Sequence, residues 1–279
     1  MIVVGHMELS KNGKKLIELY TYMAKNGFYR TDGIKVESKE AYNQFQIEKF
    51  KDELLPSFKK LKIKTVLDYG GGGSNWDALN FDEKTGISAK EFFELQQVKT
   101  FEPARNKTDK VKSDCVVCMD VLEHIFLADV SAVVRELFSL TNKLLIINVA
   151  CYEANALLPT GENAHITIRE PAWWSGLITT IADEFPEVEV LLLCSESFLS
   201  GRIYKNINSQ DWHNSEKFTI NECFERFGET PSKTKDTSSG TMTGQQILNL
   251  VDALTQSHPE TVPEIQKVLR KNAPFLNFN

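Results

Sequence analysis

The run Thr65-Val66-Leu67-Asp68-Tyr69, followed by the four glycines Gly70 to Gly73, constrains this chain more than any other feature. An apolar run that ends on an acidic residue and a glycine-only turn reads as a buried parallel strand passing into a loop. Glycine has no Cβ, so it accepts positive φ and leaves room for a ligand against the main chain. In an open α/β sheet the ligand crevice lies at the carboxyl ends of the strands, where this turn belongs. The chain has 279 residues and 42% hydrophobic residues, enough for a substantial core around such a sheet.

The spacing of the glycines selects among ligands. A dinucleotide fingerprint needs G-x-G-x-x-G. Counted from Gly70 the third position is Asn75, and counted from Gly71 it is Trp76. The Gly-Lys-Ser/Thr of a phosphate-cradling loop does not follow either. What remains is Asp68-x-Gly70-x-Gly72. By itself this also suits an ordinary strand-to-helix turn. It resembles motif I of the class I S-adenosylmethionine (SAM) methyltransferases, [D/E]-x-G-x-G. The resemblance implies a Rossmann-like fold, SAM as cofactor, and Asp68, Gly70, Gly71 and Gly72 around its methionine part. SAM carries an ammonium and a sulfonium, which a nearby carboxylate complements.

A second β-prone run, Val98 to Phe101, ends in Glu102. An ionised carboxylate there can accept both ribose hydroxyls, which suits NAD and SAM alike. A solvated strand-end carboxylate is the plainer alternative. A third run, Asp114 to Met119, leads into Asp120-Val121-Leu122-Glu123-His124. This resembles the strand and Leu-Glu-His segment of many class I methyltransferases, including the ubiquinone-type O-methyltransferases. The resemblance implies that Met119 and Asp120 border the cofactor. His124 is a candidate catalytic residue, although packing or hydrogen bonding is the commoner fate of such a histidine.

Two departures stand out. The interval 103–113 is too short for the helix and third strand usual in that family, so a loop from Arg105 to Ser113 is expected. The usual reader of the adenine amino group then has no clear counterpart other than Asp109. Conversely, the segment from Ser74 to Lys99 is long, and its Trp76, Phe81, Phe92 and Phe93 are the candidates for an adenine wall.

The stretch Cys151 to His165 contains Leu158-Pro159-Thr160-Gly161-Glu162-Asn163-Ala164-His165. It is similar to the Leu-Pro-x-Gly-x-Asn-x-His segment of a little-characterised group of bacterial and phage methyltransferases, in which a Trp-rich helix follows, matched here by Trp173 and Trp174. This resemblance covers roughly residues 60 to 205. The stretch follows the apolar run Lys143 to Val149 and so shares a sheet edge with the glycine turn. Methyl transfer depends on positioning, and a hydroxyl acceptor must lose a proton that a histidine can take. His165 is the first candidate for that base or for a substrate-orienting group. Tyr152, Asn155 and Asn163 are candidates for contacts to the acceptor. The structural alternative is a turn in which Asn163 and His165 tie down the backbone.

The rest of the chain fits this architecture. Residues 8–27 and 38–61 read as amphipathic helices, which the methyltransferase resemblance implies cover the cofactor mouth. Residues 89–97 and 129–141 read as helices, and Pro171 opens another that runs to about Phe185. Val188 to Cys194 is a strand. Gly201 to Tyr204 follows after a connection too short for a parallel crossover, so it pairs antiparallel. The expectation is an α/β fold with a mostly parallel sheet and one hairpin-inserted antiparallel strand. Residues 1–61 form an N-terminal helical cap, 62–206 the SAM-binding core, and 207–279 a helical extension with a linker near 230–243. Helices are read at 216–227, 244–256 and 260–271; the roles open to this tail are packing on the core, the most ordinary one, self-association as a homo-oligomer, or holding a partner.

The net charge of −6 disfavours a general nucleic-acid binder, although residues 11–64 carry more basic than acidic side chains. No apolar run approaches the roughly 20 residues of a bilayer span. A cytoplasmic setting is expected, in keeping with five scattered cysteines. Cys115 and Cys118 lie three apart on a strand and face opposite sides, so they read as core residues and no metal is expected. The sequence reading is a SAM-dependent methyltransferase of a small-molecule or glycan acceptor, acting at oxygen. The alternatives are an inactive SAM-binding scaffold and an NAD-type binder, the latter disfavoured by Asn75.

Overall fold

β-Branched and aliphatic runs build one mixed sheet, and helices cover both of its faces. The computed structural model describes residues 8–43, 45–205, 207 and 215–219. Seven strands are β3 (Thr65–Tyr69), β4 (Gln97–Phe101), β5 (Ser113–Met119), β6 (Thr141–Ala150), β7 (Glu189–Ser195), β8 (Ser200–Tyr204) and β9 (Ser215–Thr219). Their order is β4-β3-β5-β6-β7-β8-β9. The first five are mutually parallel, while β8 and β9 each pair antiparallel with the strand before them. A separate two-stranded ribbon, β1 (Phe28–Tyr29) with β2 (Lys35–Val36), precedes the sheet.

The helices follow the apolar periodicity. On one face, α4 (Leu127–Ser139) and α5 (Pro171–Ala182) pack Val130, Val133, Leu137, Trp174 and Ile178 on Leu67, Val116, Cys118, Leu145 and Ile147. On the other, α2 (Lys51–Lys60) packs Leu54 and Phe58 on Val66, Cys115, Val117, Leu144 and Ile146. Cys115 and Cys118 therefore do lie on opposite faces, as the strand period requires. Burying each of these large aliphatic side chains contributes about 1.5–3 kcal/mol, which is why both faces must be covered.

α1 (Lys11–Asn26) is placed by its cap. Ser10 Oγ accepts from Gly13 N at 3.0 Å and donates to Asp129 Oδ2 at 2.7 Å, tying the helix start to α4. The chain leaves the helix through Gly27 at φ +77°, where a Cβ would stand 2.1 Å from the Val36 carbonyl oxygen. No other residue fits that turn.

Several expectations need correction. The sheet ends in two antiparallel strands where one was expected. β8 follows β7 and lies between it and β9, and β9 overlaps residues 216–219 of the stretch 216–227 that was expected to be helical. Pairing with β8 and the packing of Phe218 against Phe50, with ring centroids 5.3 Å apart, hold the strand. Residues 38–61 are not one helix: a turn around Tyr42 and a 3-10 segment, Gln46–Phe50, precede α2. Of 89–97, only α3 (Ala89–Phe92) is helical; a Ser88–Glu91 capping box starts it and Glu94 at φ +53° ends it. The loop expected after Glu102 is present and leaves β4 at the sheet edge. The linker near 230–243 and the helices at 244–256 and 260–271 lie outside the described residues. Among the described residues no helix is long and apolar enough to cross a membrane.

Candidate functional site

The parallel strands bring three exits together. The order β4-β3-β5 puts Glu102, the turn Gly70–Gly73 and Asp120 side by side at the carboxyl edge. The residues following β6 lie beyond β5 on the same edge. Thus the sheet gathers the expected cofactor residues and the expected acceptor loop along one border.

The glycine turn is tightly built. Gly70 N donates to Phe101 O at 2.7 Å, and Gly72 N donates to Glu102 Oε2 at 2.9 Å. Gly70 and Gly72 have φ of +75° and +53°. A Cβ on Gly70 would lie 2.5 Å from Val121 Cγ2, and one on Gly72 would lie 2.8 Å from Tyr42 O. The absence of side chains is therefore required by the protein's own packing. Gly73 N donates to Tyr42 O at 2.8 Å, so the segment before α2 folds over the turn.

Asp68 faces inward. Its Oδ2 accepts from Trp76 Nε1 at 2.9 Å and from Ser74 Oγ, and it is only 4% exposed. Burial raises its pKa, against the lowering effect of those two donors. Its bonds hold the loop that follows the turn. Glu102 differs: Ala104 N and Gly72 N each donate to one of its oxygens, and the residue stays partly exposed. Burial raises its pKa as well, the two amides opposing.

Trp76, Phe81, Phe92 and Phe93 do not wall a cleft. Phe93 stacks on Phe58 of α2 at 4.3 Å, Phe45 meets Trp76 at 5.2 Å, and Phe81 meets Phe92 at 5.5 Å. The long segment has little regular structure, and these rings supply its core. Asp109 is exposed. Two open depressions of about 370 and 310 Å³, beside Asp77 and Lys90 and beside Pro56 and Glu189, contain none of the predicted site residues.

After β5, Met119 is partly buried against the α2-side core, and Asp120 takes φ +54°. Asp120 N donates to Asn148 O at 3.0 Å, and its carboxylate accepts from the Asn148 amide. Asn148 Oδ1 in turn accepts from Ser195 Oγ at 3.0 Å. Burial pushes the Asp120 pKa up to about 6, while Lys49 and the Asn148 amide pull it down.

Glu123 and His124 follow in a 3-10 turn. Glu123 is fully buried. Its Oε1 accepts from Ala150 N at 2.9 Å, while Oε2 has no hydrogen-bond partner. Burial, then repulsion by Asp120, drives its pKa well above the carboxylate range. His124 Nδ1 lies 2.7 Å from Tyr20 Oη and 2.9 Å from Ala164 O. Burial, then His165, lowers its pKa to about 3.

The loop after β6 returns His165 to this spot. The His124 and His165 rings meet edge-on with centroids 4.7 Å apart. His165 Nδ1 lies 2.5 Å from Tyr152 O, and burial lowers its pKa. A carbonyl only accepts, so this contact assigns the proton to Nδ1 and leaves the Nε2 lone pair bare. Asn163 staples the loop: Oδ1 accepts from Ala154 N and His165 N at 3.0 and 2.9 Å, and Nδ2 donates to Ala154 O at 2.8 Å. Tyr152 is half-buried with its ring 5.9 Å from His165. Asn155 is exposed, and its carbonyl accepts from Thr31 N at 2.8 Å.

The chain matches no family model, no curated protein and no solved structure.

Two members of this site escaped sequence reasoning. Glu123 was read only as part of a Leu-Glu-His segment. The available signal was a carboxylate set among Val121, Leu122 and Ile125, which must be buried to keep that apolar set together. Tyr20 reads as one of the apolar residues of the first helix, but its hydroxyl also donates to Ala164 O at 2.9 Å. Nothing in the local pattern of α1 announces that long-range contact.

Proposed function

We propose that the chain is a SAM-dependent methyltransferase that acts on a hydroxyl of a small-molecule or carbohydrate-like acceptor. The observation that carries this reading is the line Glu102, Gly70–Gly72, Asp120 on three adjacent parallel strand ends. It combines with the sequence pattern Asp68-x-Gly70-x-Gly72, which fits neither a dinucleotide nor a phosphate loop.

The residues fit the cofactor in chemistry. Each Glu102 oxygen accepts one amide and keeps a lone-pair site, which suits a ribose diol. Asp120 is a carboxylate with an amide partner at the next strand exit but one, which suits an ammonium or sulfonium. When bound, SAM supplies an electrophilic methyl group. The chain's part is to hold the nucleoside through Glu102 and to present the acceptor beside Tyr152 and His165. His165 receives the hydroxyl proton at Nε2 or orients the hydroxyl. The low basicity that burial gives this ring keeps Nε2 unprotonated and ready at neutral pH.

The test is titration calorimetry of the full chain with SAM, S-adenosylhomocysteine and NAD. The reading expects binding of the two sulfur nucleosides and none of NAD, with Glu102→Ala weakening binding by about 10- to 100-fold. Binding of NAD alone overturns it. One observation favours a second reading, a fold of this kind that binds without turnover: Tyr42 and Asn43 already close over Gly72 and Gly73. SAM binding without methyl transfer across a panel of hydroxylated acceptors would select that reading.

A further inference from the structure

Glu123, His124 and His165 come from two separate exits of the sheet, after β5 and after β6, and converge on one point. One ligand atom from each lies within 4.8 Å of the other two. The convergence has no parallel in the hydrogen-bond network. Glu123 Oε2 is buried without any partner. Leaving a buried carboxyl oxygen unsatisfied is costly, and Asp120 places a second acid nearby.

The two imidazoles are prepared in the same way. Both make their hydrogen bonds through Nδ1, to Tyr152 O for His165 and to Tyr20 Oη and Ala164 O for His124. Tyr20 Oη also donates to Ala164 O at 2.9 Å, so the arrangement that serves every donor has His124 protonated at Nδ1. Both rings then direct an unprotonated Nε2 away from these anchors. A backbone carbonyl on one imidazole nitrogen is the usual outer partner of a metal-ligating histidine, because it fixes the tautomer and the ring plane.

We infer that Glu123, His124 and His165 form a binding site for a divalent first-row transition cation such as Zn2+. Two imidazoles and one carboxylate are a donor set suited to zinc and its neighbours and poorly suited to magnesium or calcium. Three protein ligands leave a coordination position open, as in catalytic rather than structural zinc sites. Ligands about 2.1 Å from a metal stand roughly 3.4 Å from one another in a tetrahedron, so small side-chain rotations close the present spacing. The cation displaces the proton of the buried Glu123 carboxyl, neutralises the resulting carboxylate and fills its vacant bonding direction. The site stands independently of the methyl-transfer reading; with that reading, the open position would receive the acceptor oxygen, and His165 would act as a ligand in place of a base.

The experiment uses the full chain, stripped with a chelator and dialysed. Zn2+ is titrated calorimetrically, and Co2+ is added as a spectroscopic probe whose visible bands report nitrogen and oxygen ligation. One Zn2+ per chain is expected. His165→Ala and His124→Ala should each weaken it at least 100-fold, Glu123→Gln at least 10-fold, and each should remove the Co2+ bands. Circular dichroism establishes that the variants are folded, and His165→Asn serves if His165→Ala is not. A chain with His6, His213 and His258 all changed to Ala should keep the site; these three lie outside the described residues. Absence of Zn2+ and Co2+ uptake by the wild-type chain overturns the inference. So does binding that survives in folded His165→Ala or His165→Asn, or that vanishes in the triple variant. SAM titrated into the same samples separates the failures: SAM binding without metal uptake rejects this site alone, and metal uptake without SAM binding rejects the cofactor reading alone.

Discussion

Asp68 and Glu123 are both buried carboxylates at the carboxyl edge of the sheet, but their bonding differs. Asp68 is the motif residue, and its Oδ2 accepts from both Trp76 and Ser74. Glu123 was not singled out as a site residue, and one of its oxygens is buried with nothing to bind. A buried acid that gathers two donors from one loop holds that loop. A buried acid with an open oxygen and two histidines beside it has bonding capacity left for a ligand. The comparison separates structural from chemical carboxylates by counting partners, which a motif alone does not do.

The largest effect expected on the chemical side is at His165. His165→Ala should lower methyl transfer by about 10²- to 10⁴-fold, the usual range for a lost proton-transfer group. SAM affinity should stay within about threefold, because the ring touches no predicted cofactor residue. Single-turnover rates with calorimetric Kd values check both. An unchanged rate would move the chemistry away from this cluster and break the contrast with Asp68.

On the structural side, Asp68→Ala strands the buried Trp76 Nε1 and releases the part-buried Ser74 Oγ. It should destabilise the fold by about 2–4 kcal/mol, from the unsatisfied donors and the cavity together. Glu123→Gln keeps an acceptor for Ala150 N and is isosteric with the neutral acid that burial favours, so without added metal it should change stability little. Urea unfolding of the two variants side by side gives the ranking. The reverse order would mean that Glu123 is the structural acid.

A smaller effect tests why the turn is glycine. Gly70→Ala places a Cβ at positive φ and against Val121, which should destabilise by about 1–3 kcal/mol. Combining it with Val121→Ala should recover the steric share and leave the backbone share. Full additivity in that double-mutant cycle would show that Val121 is not what excludes the side chain.

The smallest effect is in pH dependence. The folded pKa of Asp68 is raised by burial above its ordinary value near 3.8. A raised carboxyl favours folding most when protonated. Its contribution is therefore complete below the unfolded pKa and is lost as pH rises through the folded value. The melting temperature of the wild type relative to Asp68→Asn should thus increase as pH is lowered from 7 toward 4. A flat difference would show that the Trp76 and Ser74 donors fully offset the desolvation.

How far the sequence reached can be traced residue by residue. The apolar runs at 65–69, 98–101, 114–119, 143–149 and 188–194 became strands with bounds shifted by a residue or two, because a parallel strand buried on both faces is written directly in its composition. The short connection before Gly201 correctly demanded an antiparallel partner. Its second partner, β9, did not follow, since local spacing says how two strands pair but not what lies beyond them. β9 was missed because Ser215 to Thr219 has only Phe218 as an apolar anchor. At the candidate site, the sheet border was legible from strand exits. The meeting of Tyr20, Glu123, His124 and His165 was not, because it depends on how α1 and the loop after β6 dock, and neither docking is encoded in local periodicity. The aromatic residues after Ser74 were assigned to a ligand when the long segment itself needed them.

The opposite orientation of Cys115 and Cys118 has a use of its own. Both thiols are fully shielded, the first beneath α2 and the aromatic segment, the second beneath α4 and α5. A reagent can alkylate either one only when the layer above it lifts away. Their modification rates are therefore two independent clocks on one strand, one for each side of the sheet, and the slower clock marks the layer that opens last.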